Sequence, residues 1–290
     1  MSATSPSAVP ALRGRIGHDA RSGYYPVPHR YRLHLTPSCP HCLQIAVTHS
    51  LLGLEDTLPV TVLPALPDDG DGGYLALRPL YDASAHQYPG PAGAPVLSDS
   101  WSGRIVSTDP VEILTDLARR FPGPGPDVHP DLYPHGLETA IDAVRQLCEL
   151  SINAPAQRAG RSDATPAERA TALRTLLDGL GELERRLGTR SHLLGEELTL
   201  ADVELWVTLV RLDTVHRWHL DAAAVQLIAD HPRLWAHARR LAGHPAFGRH
   251  LDLDAIARRH HARCLGEEAA GAAIRIVDWA EHAQGRVHSG

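Results

Sequence analysis

The chain has 290 residues, 43% hydrophobic and 21% charged, which gives room for two ordinary domains in a globular composition. Its net charge of −6 argues against a general nucleic-acid or membrane-surface binder. All 28 basic residues are arginine, and there are four cysteines, so any thiol chemistry rests on few positions.

Residues 1–30 are rich in Pro, Gly, Ser and Arg and predict a loosely ordered arm. They hold no apolar core of signal-peptide length, and no later run is long enough for a membrane span. The expected location is therefore cytoplasmic, where a pair of close cysteines is more often catalytic than structural. Tyr31, Leu33 and Leu35 alternate as in a strand. After Thr36-Pro37-Ser38 come Cys39-Pro40-His41-Cys42 and a helical pattern carrying Leu43, Ala46, Val47, Ser50 and Leu51, stopped by Gly53. Pro40 suits a first helical turn, where its missing N–H costs nothing. The positive end of the helix favours an anion there, so a lowered thiol pKa and a nucleophilic Cys39 are expected. Zinc would need two more ligands at matching spacing. Cys148 and Cys264 stand alone in the sequence, and the 19 histidines show no paired-ligand pattern. No metal is expected.

Leu58–Leu63 predicts a second strand, parallel to the first after the helical crossover. A long loop, 64–73, follows, then an irregular stretch from Tyr74 to Gly93. Ala94-Pro95-Val96-Leu97 reads as a strand entered through a constrained turn, a setting that suits a cis peptide. Trp101–Ile105 turns the chain back, and Thr108 or Asp109 caps a helix with Pro110 in its first turn. Phe121–Pro134 contains five prolines and predicts a semi-rigid linker. The remainder is helical by its spacing: Leu137, Ile141, Val144, Cys148 and Ile152, then Leu173 to Leu187. Thr199-Leu200-Ala201-Asp202 has the form of a capping box before Val203–Leu212. The expected division is an arm 1–30, an α/β domain 31–121, a linker 122–134, an all-α domain 135–265 and a tail 266–290.

This order of elements resembles a glutathione transferase: a thioredoxin-like βαβ-ββα domain, with a cysteine at its first helix, followed by an all-helical domain. Within that superfamily the motifs are similar to those of the xi class, the glutathionyl-hydroquinone reductases. The shared segments are Arg30-Tyr31-Arg32-Leu33-His34 before Ser38-Cys39-Pro40, Leu51-Leu52-Gly53-Leu54-Glu55, Ala94-Pro95-Val96-Leu97 and Ile105–Leu114. In the helical part they are Leu209–His216 and His231-Pro232-Arg233-Leu234-Trp235. The chain departs from the pattern at His41 and Cys42, where the family has Trp and Ala. It departs again at Asp109-Pro110, where the family has a Glu-Ser pair for the γ-glutamyl end of glutathione, and at His216, where it has a tyrosine.

The resemblance implies a Cys39 nucleophile and a thiol co-substrate, glutathione or another low-molecular-weight thiol, held at Pro95, Val96, Thr108 and Asp109. It implies a quinone-like aromatic substrate and a homodimer, with His216 at the family's pocket tyrosine. His219, His260 and His261 are read from the residues alone either as joining His216 in that pocket next to Cys39 or as solvated surface. Two other readings stand beside it. Cys39 and Cys42, with His41 between them, could cycle as a dithiol, because a nearby second thiol attacks a mixed disulfide at high effective concentration. The chain could also be a non-catalytic binding protein on the same fold.

Overall fold

A computed structural model describes residues 12–17, 23–121, 129–188, 190–264 and 268–284. The chain divides into two compact units, Met1–His129 and Pro130–Gly290.

The first unit opens with two short parallel strands, β1 (Arg15–Ile16) and β2 (Gly23–Tyr24). Then come β3 (Tyr31–Leu35), α1 (Pro40–Leu51), β4 (Val60–Val62), α2 (Arg78–Ser84), β5 (Val96–Asp99), β6 (Arg104–Ser107) and α3 (Pro110–Arg120). The sheet order is β4-β3-β5-β6, with β3 and β4 parallel and the other pairs antiparallel. This is the βαβ-ββα arrangement that the alternation in Tyr31–Leu35 and the Pro-Val entry to β5 predict. The Ala94–Pro95 peptide is cis. The crossover is short because α1 stops cleanly. Gly53 takes φ +60, and the amides of Gly53 and Leu54 bond back to Ser50 (3.2 Å) and His49 (3.1 Å).

Two expectations need correction. The stretch from Tyr74 to Gly93 is not wholly irregular: a 3-10 turn at Leu75–Leu77 leads into α2, whose Tyr81 is buried beside Tyr74, Leu77 and Ile105. Nor are the described parts of the arm loose. The Gly14 amide donates to Val106 at 2.6 Å and the Thr108 amide to Leu12 at 2.9 Å, so residues 12–14 run along β6. A Cβ on Gly14 would lie 2.7 Å from the Val106 carbonyl oxygen and 3.0 Å from the Tyr24 ring, so only glycine allows this approach. Arg15 and the Ile16 amide both bond the buried Asp116 carboxylate of α3. Of the proline-rich linker, residues 122–128 lie outside the described residues.

Apart from a single bridge between His192 and Gly195, the regular elements among the described residues of the second unit are helices. It contains α4 (Glu138–Leu147), a π-helical turn Cys148–Asn153, α5 (Ala154–Ala159), α6 (Pro166–Leu187) and α7 (Leu200–Thr214). These are followed by α8 (Ala222–Ala229), α9 (Pro232–Ala242), α10 (Pro245–Gly248), α11 (Leu253–Arg263) and α12 (Trp279–Gln284). α7 is buried on nearly every side, which its apolar run predicts. Trp206 packs edge-on against Phe247 and donates its indole N–H to the Ala238 carbonyl at 3.1 Å. The described part of the expected tail, 268–284, contributes to this core. Trp279 is buried, and its indole N–H donates to the Asp213 carboxylate at 2.8 Å. Among the described residues no helix is long and apolar enough to cross a membrane.

Candidate active site

Cys39 is the N-cap of α1, with Pro40 at N1, His41 at N2 and Cys42 at N3. Its backbone is extended (φ −96, ψ 127), and its carbonyl accepts the first intrahelical bond from the Leu43 amide at 2.9 Å. No acidic side chain lies in the first turn. The amides there face the N-cap side chain, and the helix dipole adds a positive field, so charge at this sulfur meets attraction without a competing carboxylate. Cys39 keeps 8% of its surface exposed while Cys42 keeps 1%. Cys39 is the less covered of the two thiols, Cys42 lies on the inner face of the helix, and His41 is exposed.

The turn ahead of Cys39 is fastened to the loop after β4. Thr36 Oγ1 donates to the Pro64 carbonyl at 2.7 Å, and the Ser38 hydroxyl donates to the Ala65 carbonyl. These two hydroxyls hold the strand-to-helix turn in position, a role the sequence did not reveal because it depends on a loop almost thirty residues away. Beneath the turn, His34 Nε2 lies 2.9 Å from Ser98 Oγ. Burial, then the charge of Arg32, pushes His34 down to about 4, so this imidazole is neutral near pH 7. Val96, the first residue of β5, pairs with His34 across the sheet, and its side chain is fully buried. Pro95 precedes it, buried.

Asp109, not Thr108, is the N-cap of α3. Asp109 Oδ1 accepts from the amides of Val111 (2.9 Å) and Glu112 (3.1 Å). Its other oxygen pairs with the Arg13 guanidinium at 3.0 Å, and the same guanidinium reaches Glu112 at 3.0 Å. Thr108 is tied through its amide to the arm at Leu12. The carboxylate expected to meet a thiol's ammonium therefore also holds a helix start and an arginine. That arginine lies in the arm, outside every motif read from the sequence.

His216 and His261 occupy different settings in the second unit. His216 is buried at 5% exposure, pushed down to about 3 by burial and then by the charge of Arg211. His261 is exposed, edge-on to Trp218. Cys148 is fully buried, and burial pushes its thiol far up, in keeping with an inert core residue. Cys264, which stands alone in the sequence, has a partner in the fold: it is only partly buried, with its Sγ 3.1 Å from His219 Nε2. The sequence signal for it was a His260-x-x-x-Cys264 spacing, which puts both side chains on one helix face.

The family profile described as glutathione S-transferase, C-terminal domain, matches residues 166–240. Glutathionyl-hydroquinone reductase PcpF of Sphingobium chlorophenolicum is 30% identical over 245 residues, 79% of this chain and 76% of that protein. Glutathionyl-hydroquinone reductase YqjG of Escherichia coli (strain K12) is 29% identical over 265 residues, 86% of this chain and 80% of that protein. The solved glutathione-bound structure of YqjG superposes with a TM-score of 0.72 at 26% identity, covering 90% of this chain and 94% of that one.

Proposed function

Because this chain belongs to the glutathione transferase superfamily, among the glutathionyl-hydroquinone reductases of the xi class, and is an oxidoreductase of that type, we propose that it reduces glutathionyl-hydroquinone-like thioethers through the Cys39 thiolate. The observation that carries this reading is the position of Cys39: a thiol at the N-cap of α1, less buried than Cys42, with no acid in the first turn.

In the proposed cycle the Cys39 thiolate attacks the sulfur that joins the thiol to the aromatic ring. A Cys39–glutathione disulfide forms, the C–S bond breaks, and its electron pair stays on the ring carbon, which takes a proton from solvent. The hydroquinone leaves. A second glutathione thiolate then attacks the mixed disulfide, giving oxidised glutathione and restoring Cys39. The thiol lies along β5 at Pro95 and Val96, with Asp109 and Thr108 at its amino end. A carboxylate facing an ammonium gives charge-assisted bonds. With Pro110 in place of a serine and Arg13 already on Asp109, binding through this end is weaker than a Glu-Ser pair would give. His216 as a substrate-lining residue and assembly as a homodimer belong to this reading by resemblance alone, and His261 joins it as a residue the sequence offers for the same pocket.

The dithiol alternative draws on the N-cap and N3 positions of Cys39 and Cys42, three residues apart in the first turn of α1. Intact mass after incubation with oxidised glutathione separates the two. A retained single glutathione adduct on wild type supports the monothiol cycle. Loss of two hydrogens in wild type, with the adduct held by Cys42→Ser, replaces it with the dithiol cycle. No reaction of Cys39 with any low-molecular-weight thiol overturns both.

A further inference from the structure

We propose that His219, His260 and Cys264 form a mononuclear site for a borderline-soft divalent metal ion such as Zn²⁺, with the fourth position left to water. His219 ends the 3-10 turn His216–His219 between α7 and α8. His260 lies in the last turn of α11, and Cys264 caps that helix. The Cys264 amide bonds the His260 carbonyl at 2.8 Å, so the helix itself fixes their four-residue spacing. The ligand-capable atoms of all three residues lie within 4.8 Å of one another, and each side chain is partly exposed, which gives an ion access.

The hydrogen-bond arithmetic points to a metal. His219 Nε2 lies 3.2 Å from His260 Nε2 and 3.1 Å from Cys264 Sγ. One imidazole nitrogen carries either one hydrogen or one lone pair, so it cannot make two separate linear hydrogen bonds. A cation among the three atoms takes one lone pair from each. Tetrahedral zinc with bonds of about 2.0 Å to nitrogen and about 2.3 Å to sulfur sets ligand atoms about 3.3–3.6 Å apart. The two separations involving His219 fall about 0.1–0.5 Å short of those values, and the His260–Cys264 pair lies within 4.8 Å, so small side-chain rotations would bring all three atoms onto one ion. Two imidazoles and a thiolate suit Zn²⁺ or Co²⁺ and disfavour Mg²⁺ and Ca²⁺. Binding displaces the Cys264 thiol proton to solvent and ties the end of α11 to the turn after α7.

The site is independent of the Cys39 chemistry, and its test keeps the two apart. Metal-free full-length protein is titrated with Co²⁺. The expected result is one equivalent bound, with a thiolate-to-cobalt charge-transfer band that Zn²⁺ bleaches and Mg²⁺ does not. The band persists in a Cys39→Ser/Cys42→Ser variant, and Cys264→Ala or His260→Gln weakens binding by about a hundredfold or more. No stoichiometric binding overturns the proposal, and so does a band that survives Cys264→Ala but disappears without Cys39 and Cys42. A readout on wild type alone guards against a variant that fails to fold. Zn²⁺ should slow alkylation of Cys264, mapped by peptide mass, by about tenfold or more; equal rates with and without Zn²⁺ overturn the site.

Discussion

The starts of α1 and α7 share one spacing and differ in chemistry. At α7 the N-cap is Thr199 and N3 is Asp202; the Asp202 carboxylate accepts from the Thr199 amide at 3.0 Å and from the Leu193 amide at 2.9 Å. At α1 the same two positions hold Cys39 and Cys42. A carboxylate and a hydroxyl close the helix start into a capping box that serves folding. Two sulfurs in those positions leave the turn without a fixed negative charge; in the proposed mechanism a Cys39 thiolate supplies it. The first turn of a helix can thus be a structural fastening or a reactive centre, and the side chains at N-cap and N3 decide which.

Exchanging a single residue in each turn tests that contrast. Cys39→Ser should lower kcat/KM for glutathionyl-hydroquinone reduction by about a thousandfold or more, because the attacking sulfur is gone. Its melting temperature should stay within a few degrees of wild type. Asp202→Ala should do the reverse: a loss of about 3 kcal/mol in denaturant unfolding, with kcat/KM of the surviving folded protein little changed. Comparable stability losses for both variants would remove the distinction.

Acidity sharpens it further. Burial pushes the Asp202 carboxyl up, but the hydrogen bond from His237 and the amides of Leu193 and Thr199 outweigh it, so the group ends below its ordinary value. Its contribution to stability is present above the unfolded carboxylate value and is lost as pH falls through the folded one. His34 acts at higher pH. Its folded value of about 4 lies below the unfolded value of 6.5, so its stabilising effect is complete above about 6.5 and is lost as pH falls towards 4. His34→Gln, with denaturant unfolding followed over that range, should flatten the slope by on the order of 2–3 kcal/mol. An unchanged slope would mean His34 titrates alike in both states. The smallest effect expected is at α3. Asp109→Asn keeps a good cap but loses the charge, so KM for the thiol should rise by about three- to tenfold, with stability shifted by less than about 0.5 kcal/mol.

The sequence made the fold and Cys39 legible for local reasons. A strand ending in Thr-Pro-Ser, a Pro at N1 and an apolar face fix β3, the turn and α1 within twenty residues, and the Thr199–Asp202 box is equally local. What it concealed was contact between distant segments. Arg13 reaches Asp109 across ninety-six positions, and Ser38 is fastened to Ala65 by a backbone carbonyl whose residue type is immaterial. Helix α2 was missed because Arg78–Ser84 has few apolar residues and a proline at its start. His219 and Cys264 looked unrelated because the turn carrying His219 meets the end of α11 only in the folded unit.

The pairing of residues 12–14 with β6 bears on solubility. β6 is an outer strand of the sheet, and an uncovered outer strand offers a row of amides and carbonyls to any other extended chain. The arm covers part of that row through the Gly14–Val106 and Thr108–Leu12 bonds. A chain shortened to begin at residue 18 would lose β1 but keep the four-stranded sheet and Cys39, yet leave this part of β6 open to strand addition between molecules. The arm thus guards against self-aggregation, and Gly14, where no larger residue fits, is the position at which that protection is most easily lost.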